Sequence, residues 1–321
     1  FVVSTRPELH AQVVAPGDVS YYVRAQDRYR LIYSDEYRGE IAQFLWYNQR
    51  INEYFQKSFA WKLDETTALV LSSHQNQQSN AFATVYPNNL TVFYQGGVEL
   101  MDQFAVSSWP LTLLIHEVAH LYQLNVKAEF SKITKSIFGN HAFFVYPVIP
   151  IPLFPTPNML LPTWLMEGNA VMNESQLGIG GRLFSGEYRA LFYSLLKKGV
   201  LNYQRLINQH LDFPFTTEKY IVGGYFNQFL ASEYGVDETN RYFKEQTKHY
   251  FIPLRIDVSF NEHFEKSYYQ LVDEFLQFYT PLALAQKEAP EAALTTGVFA
   301  SPMSRQGNSI YFLLSEKGRK N

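Results

Sequence analysis

The feature that most constrains the fold of this chain is an apolar segment near its middle, residues 107–124. Ser108 can cap a helix there, and Pro110 is tolerated in a first turn because the amides of that turn have no partner within the helix. The apolar side chains recur at helical spacing over a broad surface: Leu111, Leu114, Ile115, Val118, Leu121 and Tyr122. This pattern predicts a buried central helix against which the rest of the chain packs.

Two histidines of this segment, His116 and His120, lie four residues apart, so their imidazoles leave the predicted helix on the same face. Two imidazoles at this spacing can bind one Zn²⁺ ion. Glu117 lies about 100° around the helix from His116, where its carboxylate can reach a metal-bound water without ligating the metal. The pattern His-Glu-x-x-His (HExxH) is the one that metalloproteases use.

Other interpretations of this motif stay open. The two histidines can be hydrogen-bonded residues of an apolar core. A di-iron bundle needs Glu-x-x-His on each of two helices; Glu117 and His120 form one such pair, but the chain contains no second pair. A zinc site requires a third ligand from elsewhere in the chain.

Composition restricts both the ligands and the partners. The chain has 321 residues, no cysteine and a formal net charge of −3. Without cysteine, a metal must be bound by histidines and carboxylates. A charge near neutrality argues against nucleic acid as a partner. No run of about 18 apolar residues occurs, so no transmembrane span is predicted. The chain begins with Phe1, which we interpret as the loss of an upstream segment.

The region before the histidine helix, residues 1–106, is predicted to form a small α/β subdomain. Alternation and helical periodicity suggest its elements. These are an irregular arm over 1–28, a strand at 30–34, a helix over 36–57, a strand at 67–72, a polar loop at 73–80, and a hairpin of strands 81–86 and 90–95.

Residues 107–286 are predicted to form a mostly helical zinc-binding subdomain. Segment 143–162 holds six prolines among large apolar residues, which forbids a helix and favours extended backbone. It is either a loop packed over the core or a functional loop, namely a lid, a membrane-surface contact or a partner-docking loop. Further helices are expected over 163–176, 186–209, 217–234, 237–249 and 268–278.

The segment Trp164-Leu-Met-Glu-Gly-Asn-Ala170 resembles the Trp-Leu-x-Glu-Gly-x-Ala signature of gluzincin zinc metallopeptidases. This peptidase MA-like clan includes thermolysin and the aminopeptidase N family. The resemblance implies that Glu167 is the third zinc ligand, beside His116 and His120. It also implies that Glu174, seven residues later, hydrogen-bonds a ligand histidine or its neighbours, since such partners orient zinc-bound imidazoles.

Two further segments are similar to parts of the same clan. Residues 220–230 are similar to its Tyr-x-x-Gly…Leu helix start. This similarity gives Tyr220 the role of oxyanion donor, with Tyr225 as the alternative. For both tyrosines the other interpretation is ordinary packing in the core. Gly96-Gly-Val-Glu-Leu100 half matches the aminopeptidase segment that binds the substrate amine, which makes Glu99 a candidate substrate-binding residue. The interval of 46 residues between His120 and Glu167 is longer than in the aminopeptidases, so exopeptidase activity is not implied.

The end of the chain, residues 287–321, resembles a different fold. Residues 299–318 look like one strand-turn-strand unit of a TolB-like β-propeller, and one unit cannot close a propeller. We therefore expect a linker and the first strands of a propeller, cut from a longer protein. The tail and the missing start Met lead us to expect a bacterial periplasmic, cell-envelope or secreted location.

Together the resemblances imply an α+β, thermolysin-like metallopeptidase with a small N-terminal mixed sheet and a mostly helical C-terminal lobe. The expected activity is hydrolysis of a peptide or protein substrate by a water that one Zn²⁺ per chain activates, with Glu117 as general base. Strand 90–95 is expected to be the sheet edge that pairs with an extended substrate. The alternatives are a weakly active or inactive binding or scaffold domain attached to a propeller, and a purely structural helical domain.

Overall fold

The computed structural model describes most of the chain, and within it two compact units are distinguished, Phe1–Ala283 and Leu284–Asn321. The described residues are 19–63, 65–72, 76–78, 80–85, 89–94, 96–98, 109–138, 143–145, 149–153, 157–177, 180–207, 214–249, 254–286, 298–299, 304–306, 309–311, 314–316 and 319–320.

A mixed five-stranded sheet forms one layer of the larger unit, with strand order β1-β2-β3-β6-β5. The central strands β2, β3 and β6 are parallel, and β1 and β5 pair antiparallel at the two edges. The strands of this region are β1 (Tyr21–Gln26), β2 (Tyr29–Ser34), β3 (Thr67–Leu71), β4 (Asn76–Gln78), β5 (Asn80–Thr84), β6 (Asn89–Tyr94) and β7 (Gly96–Val98).

The predicted strands of this region are confirmed, but three expectations about their surroundings are wrong. The irregular arm contains β1, whose mixed, largely exposed residues give no apolar alternation. The polar loop contains β4, which pairs with β7. Strand β6 is not an edge, because it pairs with β3 on one side and β5 on the other. The edge strand on this side of the sheet is β5.

Most of the other described elements of the larger unit are helices. Helix α1 (Ile41–Ser58) packs on the sheet through Phe44, whose ring lies against Phe93 of β6, and packs through Phe55 against Tyr122. The others are α2 (Trp109–Asn125), α3 (Glu129–Phe138), α4 (Thr163–Gln176), α5 (Gly186–Lys197), α6 (Tyr203–Ile207), α7 (Glu218–Tyr234), α8 (Val236–Gln246), α9 (Ile256–Phe264) and α10 (Tyr268–Ala285). The α+β class predicted from the sequence is confirmed.

The predicted histidine helix is α2, and its buried surface includes Leu114, Ile115, Val118 and Tyr122. Ser108, the predicted cap, lies outside the described residues. Between α2 and α4, the proline-rich segment contributes two short antiparallel strands, β8 (Phe143–Val145) and β9 (Ile149–Leu153), which agrees with the extended backbone expected there. Among the described residues, no helix is long and apolar enough to cross a membrane.

Helices α4 and α7 cross at a point where two glycines meet. A Cβ atom built on Gly168 would lie 2.5 Å from Gly223 Cα, and one built on Gly223 would lie 3.0 Å from Gly168 Cα. Any side chain at the crossing would separate the helices. The glycines therefore bring the start of α7 close to Glu167 on α4, and this places residues of both helices in one site.

The smaller unit contains short strands in two separate sheets. Strands β10 (Val298–Phe299), β13 (Leu314–Glu316) and β14 (Arg319–Lys320) form one, and β11 (Ser304–Gln306) and β12 (Ser309–Tyr311) form the other. The β-propeller remains a prediction, as do the subdomain boundaries at 106 and 286.

Candidate metal centre

Three side-chain atoms from α2 and α4 converge in the larger unit. His116 Nε2 lies 3.0 Å from Glu167 Oε2, His120 Nε2 lies 3.2 Å from the same oxygen, and the two nitrogens are 3.1 Å apart. Helical spacing brings the two histidines together, and the crossing of α2 and α4 adds the carboxylate. Among the described residues, this trio is the group of histidine and acidic side chains that can hold a metal ion.

His116 is oriented by a buried ion pair beneath it. Its Nδ1 atom lies 2.7 Å from Glu174 Oε1, which can only accept, and 2.8 Å from Arg182 Nη2, which can only donate, so both members of the ion pair face this ring nitrogen. The Arg182 guanidinium donates through Nε to Glu174 Oε2 at 2.9 Å and also contacts Oε1. Burial raises the pKa of Glu174, but Arg182 and His116 together outweigh burial and lower it. The other ring nitrogen of His116, Nε2, faces the other two atoms of the trio.

His120 is oriented by Gln123, one turn further along α2. Gln123 Nε2 donates to the Met166 carbonyl oxygen at 3.0 Å and to Asn169 Oδ1 at 2.9 Å. Both amide N–H groups of Gln123 are thereby used as donors. Its Oε1 atom therefore faces His120 Nδ1, 2.8 Å away, and accepts a hydrogen bond from the Nδ1–H group. His120 Nε2 therefore presents a lone pair to the trio.

Glu167 presents one oxygen to the histidines and the other to a lysine. Lys219 Nζ, at the start of α7, donates to Glu167 Oε1 at 2.9 Å. This leaves Oε2 directed at the two imidazoles. The lysine also lies 4.7 Å from the centre of the Tyr220 ring.

The trio fits a tetrahedral metal ion. Zinc binds histidine and carboxylate ligands at roughly 2.0–2.1 Å, so two ligands of a tetrahedral site are about 3.3 Å apart. The three observed separations, 3.0, 3.1 and 3.2 Å, are close to that value. Three lone pairs that converge in a buried place repel one another unless a positive charge lies between them. The donor set thus suits a cation, and two imidazoles with one carboxylate suit zinc.

Burial and charge act in opposite directions on the pKa values of the centre. Burial lowers the pKa of His116, but hydrogen bonds with Glu167 and Glu174 outweigh it and raise the pKa to about 9. Burial raises the pKa of Glu167, but hydrogen bonds with His116 and His120 hold it well below its usual range. Burial raises the pKa of Glu117. The raised pKa of His116 favours its protonated form when no metal is bound, and metal binding would release that proton.

A cavity of about 260 Å³ opens onto the trio, and the edge strand β5 forms one of its walls. Glu117, which is only 6% exposed, lies in the same lining as the three metal-binding candidates. The lining consists of Asn80, Ala81, Phe82, Ala83, Leu113, His116, Glu117, His120, Glu167, Arg182 and Tyr220. The cavity thus brings a buried carboxylate, three metal donors and a strand edge together.

A larger groove, of about 550 Å³, lies between β1, β2 and α1. Its lining includes Arg24, Arg38 and Trp46 but no histidine and no carboxylate. The lining of this groove offers neither metal ligands nor an acid–base pair.

The structure separates the two tyrosines that the sequence suggested. Tyr220 lines the cavity, with its ring centre 6.0 Å from that of His116 and 5.0 Å from the Arg182 guanidinium. Tyr225 is packed in the core, stacked on Phe192 at 4.2 Å between ring centres, and is not among the described residues that line the cavity. Glu99 lies outside the described residues. The roles assigned to these three residues stay predictions.

Three residues around the centre were not predicted from the sequence. The sequence positions of Gln123 and Lys219 could have indicated that they lie near the site. Gln123 follows His120 by three residues on the same helix face, and Lys219 directly precedes Tyr220. Nothing in the sequence indicated the position of Arg182, because this residue reaches Glu174 only through the backbone turn at Gly181, whose φ is +118°.

Comparison with known proteins gives limited information. The sequence matches none of the family models and none of the curated proteins with which it was compared. The chain is similar to the crystal structure of an M1 zinc metallopeptidase from Deinococcus radiodurans, with a TM-score of 0.42 and 14% identity over 82% of this chain and 52% of that chain. It is also similar to a mutant M1 zinc metallopeptidase from the same organism bound to a Tyr-Ser-Ala substrate, with a TM-score of 0.43 and 15% identity over 80% of this chain and 51% of that chain.

The chain spans about half the length of these solved structures. The TM-scores and identities are too low to assign a family or an activity. A function for this chain therefore depends on the residues of its own site.

Proposed function

We propose that this chain is a zinc-dependent peptidase, with one Zn²⁺ held by His116, His120 and Glu167. The observation that carries the proposal is the convergence of His116 Nε2, His120 Nε2 and Glu167 Oε2 in the cavity that also contains Glu117. Three protein ligands leave a fourth coordination position for water, which is typical of catalytic rather than structural zinc sites. Bound zinc would lower the pKa of that water and polarise the carbonyl group of a substrate.

Glu117 and Tyr220 would supply the proton transfer and part of the charge stabilisation. The Glu117 carboxylate accepts a proton as the water oxygen forms its bond to the carbonyl carbon. It then gives the proton to the amide nitrogen as the C–N bond breaks, so the products are a carboxylic acid and an amine. The Tyr220 hydroxyl donates a hydrogen bond to the carbonyl oxygen while that oxygen carries negative charge.

Strand β5 supports an extended peptide as the substrate. Its residues 80–83 line the cavity, and its outer edge is where an added strand can form main-chain hydrogen bonds. Phe82 is 42% exposed and offers an apolar surface to a substrate side chain. The pairing role that the sequence gave to strand 90–95 thus passes to β5.

The proposal is tested by Glu117→Gln in the full chain. This change keeps the size of the side chain but removes its ability to take up a proton, so zinc content should stay at one ion per chain while hydrolysis falls by roughly 10²–10⁴-fold. Zinc is measured by elemental analysis, and hydrolysis with a quenched-fluorescent peptide library and casein, with and without chelator. The exposed Glu233 on α7 provides the control, and Glu233→Gln should match the wild type.

The outcomes separate the three candidate functions. Zinc binding without cleavage of any peptide by the wild type would favour a binding or scaffold domain. A chain that binds no zinc would favour a purely structural role. Full activity in Glu117→Gln would show that the general base is another residue.

A further inference from the structure

Four fully buried amide side chains run from the metal centre into the core of the larger unit. We call Gln123, Asn169, Asn173 and Asn240 the amide chain; each is 0% exposed, and they lie on three different helices, α2, α4 and α8. Amides are costly to bury unless their donors and acceptors are bonded. Their hydrogen bonds therefore determine how each amide is oriented.

The far end of the amide chain reaches α1, and its direction is set by Asn173, whose Nδ2 donates to the Asn169 carbonyl oxygen at 2.9 Å. Asn240 Nδ2 donates to Ser58 Oγ at 2.7 Å and to Asn173 Oδ1 at 3.0 Å, which uses both of its protons. Asn240 Oδ1 is left to accept from Asn169 Nδ2 at 2.8 Å and from Asn173 Nδ2 at 2.9 Å. Reversing Asn240 would bring amide nitrogens against nitrogens, so its orientation dictates that of Asn169.

The near end reaches His120. Because Asn169 Nδ2 points to Asn240, Asn169 Oδ1 faces α2 and accepts from Gln123 Nε2 at 2.9 Å. Gln123 then has only Oε1 to offer to His120 Nδ1, at 2.8 Å. The orientation of each amide thus determines the next one, from Asn173 to the imidazole, and the Met166 carbonyl oxygen supports the same orientation of Gln123.

We propose that the amide chain is a positioning device for the metal centre, in which Asn169 and Asn240 act on His120 through Gln123. The inference rests on the proposed zinc site. A glutamine beside a ligand histidine has two faces, and only the oxygen face keeps the proton on Nδ1. With the amide reversed, the Nδ1 lone pair would accept from Gln123 Nε2 and the proton would move to Nε2, where it would block metal binding.

A carboxylate beside His120 would not need this device, because both of its oxygens accept. Glu174 does this for His116 without any orienting amide. The contrast explains why one ligand histidine is backed by a single ion pair and the other by a series of buried amides. It also provides a rescue, since Gln123→Glu should make the orientation of residue 123 independent of Asn169.

The test measures zinc affinity by competition with a chromophoric chelator, together with the visible spectrum of the Co²⁺-loaded protein, which reports ligand geometry. Asn169→Leu removes one of the two acceptors of Gln123 Nε2 and leaves only the Met166 carbonyl oxygen. Zinc affinity should fall about 10-fold, the low end of the effect of changing a partner of a ligand histidine. In the Gln123→Glu background, the same change should cost less than twofold. Asn240→Ala should lower affinity in the same direction by about threefold, and decides the matter if Asn169→Leu does not fold.

Asn125→Leu is the matched control. Asn125 is buried on the same helix, but its amide donates to Asn89 Oδ1 and the Leu121 carbonyl oxygen, outside the amide chain. It should lose stability in urea and keep its zinc affinity and Co²⁺ spectrum. If Asn169→Leu and Asn240→Ala behave like this control, with affinities within twofold of the wild type, the proposal is overturned. A wild-type chain that binds no zinc would instead refute the proposed function on which it rests.

Discussion

Glu174 and Arg182 are almost completely buried beneath His116, with 1% and 4% of their surfaces exposed. Each charge has the other as its main compensation, through hydrogen bonds to both oxygens of the carboxylate. When one member of such a pair is removed, the other remains as an uncompensated buried charge, which costs about 3–5 kcal/mol. When both are replaced by neutral groups, most of this cost disappears. Stability and metal affinity can therefore be separated at this pair.

The residue-scale prediction concerns Glu174→Gln. It should lower the free energy of unfolding by about 3–5 kcal/mol, because Arg182 loses its buried counter-charge. It should also weaken zinc binding by roughly 10–100-fold, because His116 loses the carboxylate that orients it. Urea unfolding in the presence of chelator measures the first effect, and chelator competition measures the second.

The double variant Glu174→Gln with Arg182→Met distinguishes the two effects. Stability should recover by at least about half, since no unpaired charge stays buried, whereas zinc affinity should stay low. If zinc affinity recovered along with stability, the carboxylate would matter for folding and not for orienting His116.

The sequence could identify the proposed ligands but not most of their partners. His116, His120 and Glu167 stand in short patterns in which helical spacing or a motif fixes the geometry. Arg182 depends on a turn of positive φ at Gly181 and on a contact with α4 that no local pattern encodes. A partner that arrives from another element is visible only when the tertiary structure is known.

At the scale of elements, the crossing of α4 and α7 determines how the second half of the site is assembled. Gly168 follows the candidate ligand Glu167 directly, and Gly223 lies one turn after Lys219 and Tyr220. The backbones touch at these two glycines, where a Cβ atom on Gly223 would also lie 3.1 Å from the Trp164 carbonyl carbon. A wider crossing would move Lys219 and Tyr220 away from the cavity.

The element-scale prediction is that Gly223→Ala destabilises the protein and damages the site together. The added methyl group meets backbone atoms that cannot rotate away, so the free energy of unfolding should fall by about 2–3 kcal/mol or more. Peptide hydrolysis should fall by at least about 10-fold in the folded fraction, since Tyr220 is displaced. Chemical unfolding and activity assays at low temperature measure the two effects.

Gly186→Ala is the control for this prediction. Gly186 is the first residue of α5 and has open space where a Cβ atom would lie. Alanine is the better helix former there by up to about 1 kcal/mol, so stability should be equal or higher and activity unchanged. A Gly223→Ala protein as stable and active as Gly186→Ala would show that the helices do not need their close contact.

The helices and strands that the sequence predicted are those in which apolar residues recur with a clear period. Where the prediction differs from the structure, a local feature of the chain gives the reason. The single helix predicted over 186–209 is two helices, α5 and α6, because the chain turns at Gly199 with φ +62°. Helix α9 was not predicted; it is nine residues long and begins soon after Pro253. In α3, Ser131 and Thr134 are buried while Ile133 and Ile137 are exposed, the reverse of an ordinary amphipathic helix.

At the scale of the whole molecule, the buried cation Lys127 makes one contribution to the pH dependence of global stability, separate from that of His116. Lys127, between α2 and α3, is 2% exposed, and its Nζ atom donates to the Asn125 carbonyl oxygen at 2.9 Å. Burial lowers its pKa from 10.5 to about 7. Between these values Lys127 binds a proton in the unfolded chain but not in the folded chain, so its contribution to stability rises with pH across this window. Below pH 7 the folded protein holds the protonated Lys127 side chain in its interior, and the full free-energy cost of burying that charge lowers its stability.

Lys127→Met should therefore stabilise the protein, and most strongly at low pH. One pKa unit corresponds to about 1.4 kcal/mol, so the variant should gain about 2–5 kcal/mol near pH 6.5, after the loss of one hydrogen bond. The gain should shrink to about 1 kcal/mol near pH 9.5, where much less of the protonation difference remains. Urea unfolding at both pH values, with chelator present to remove any metal linkage, measures the difference.

The exposed Lys57 serves as the comparison, and Lys57→Met should follow the wild-type curve. A stability gain in Lys127→Met that is the same at both pH values would show that the lysine acts through packing and not through its charge.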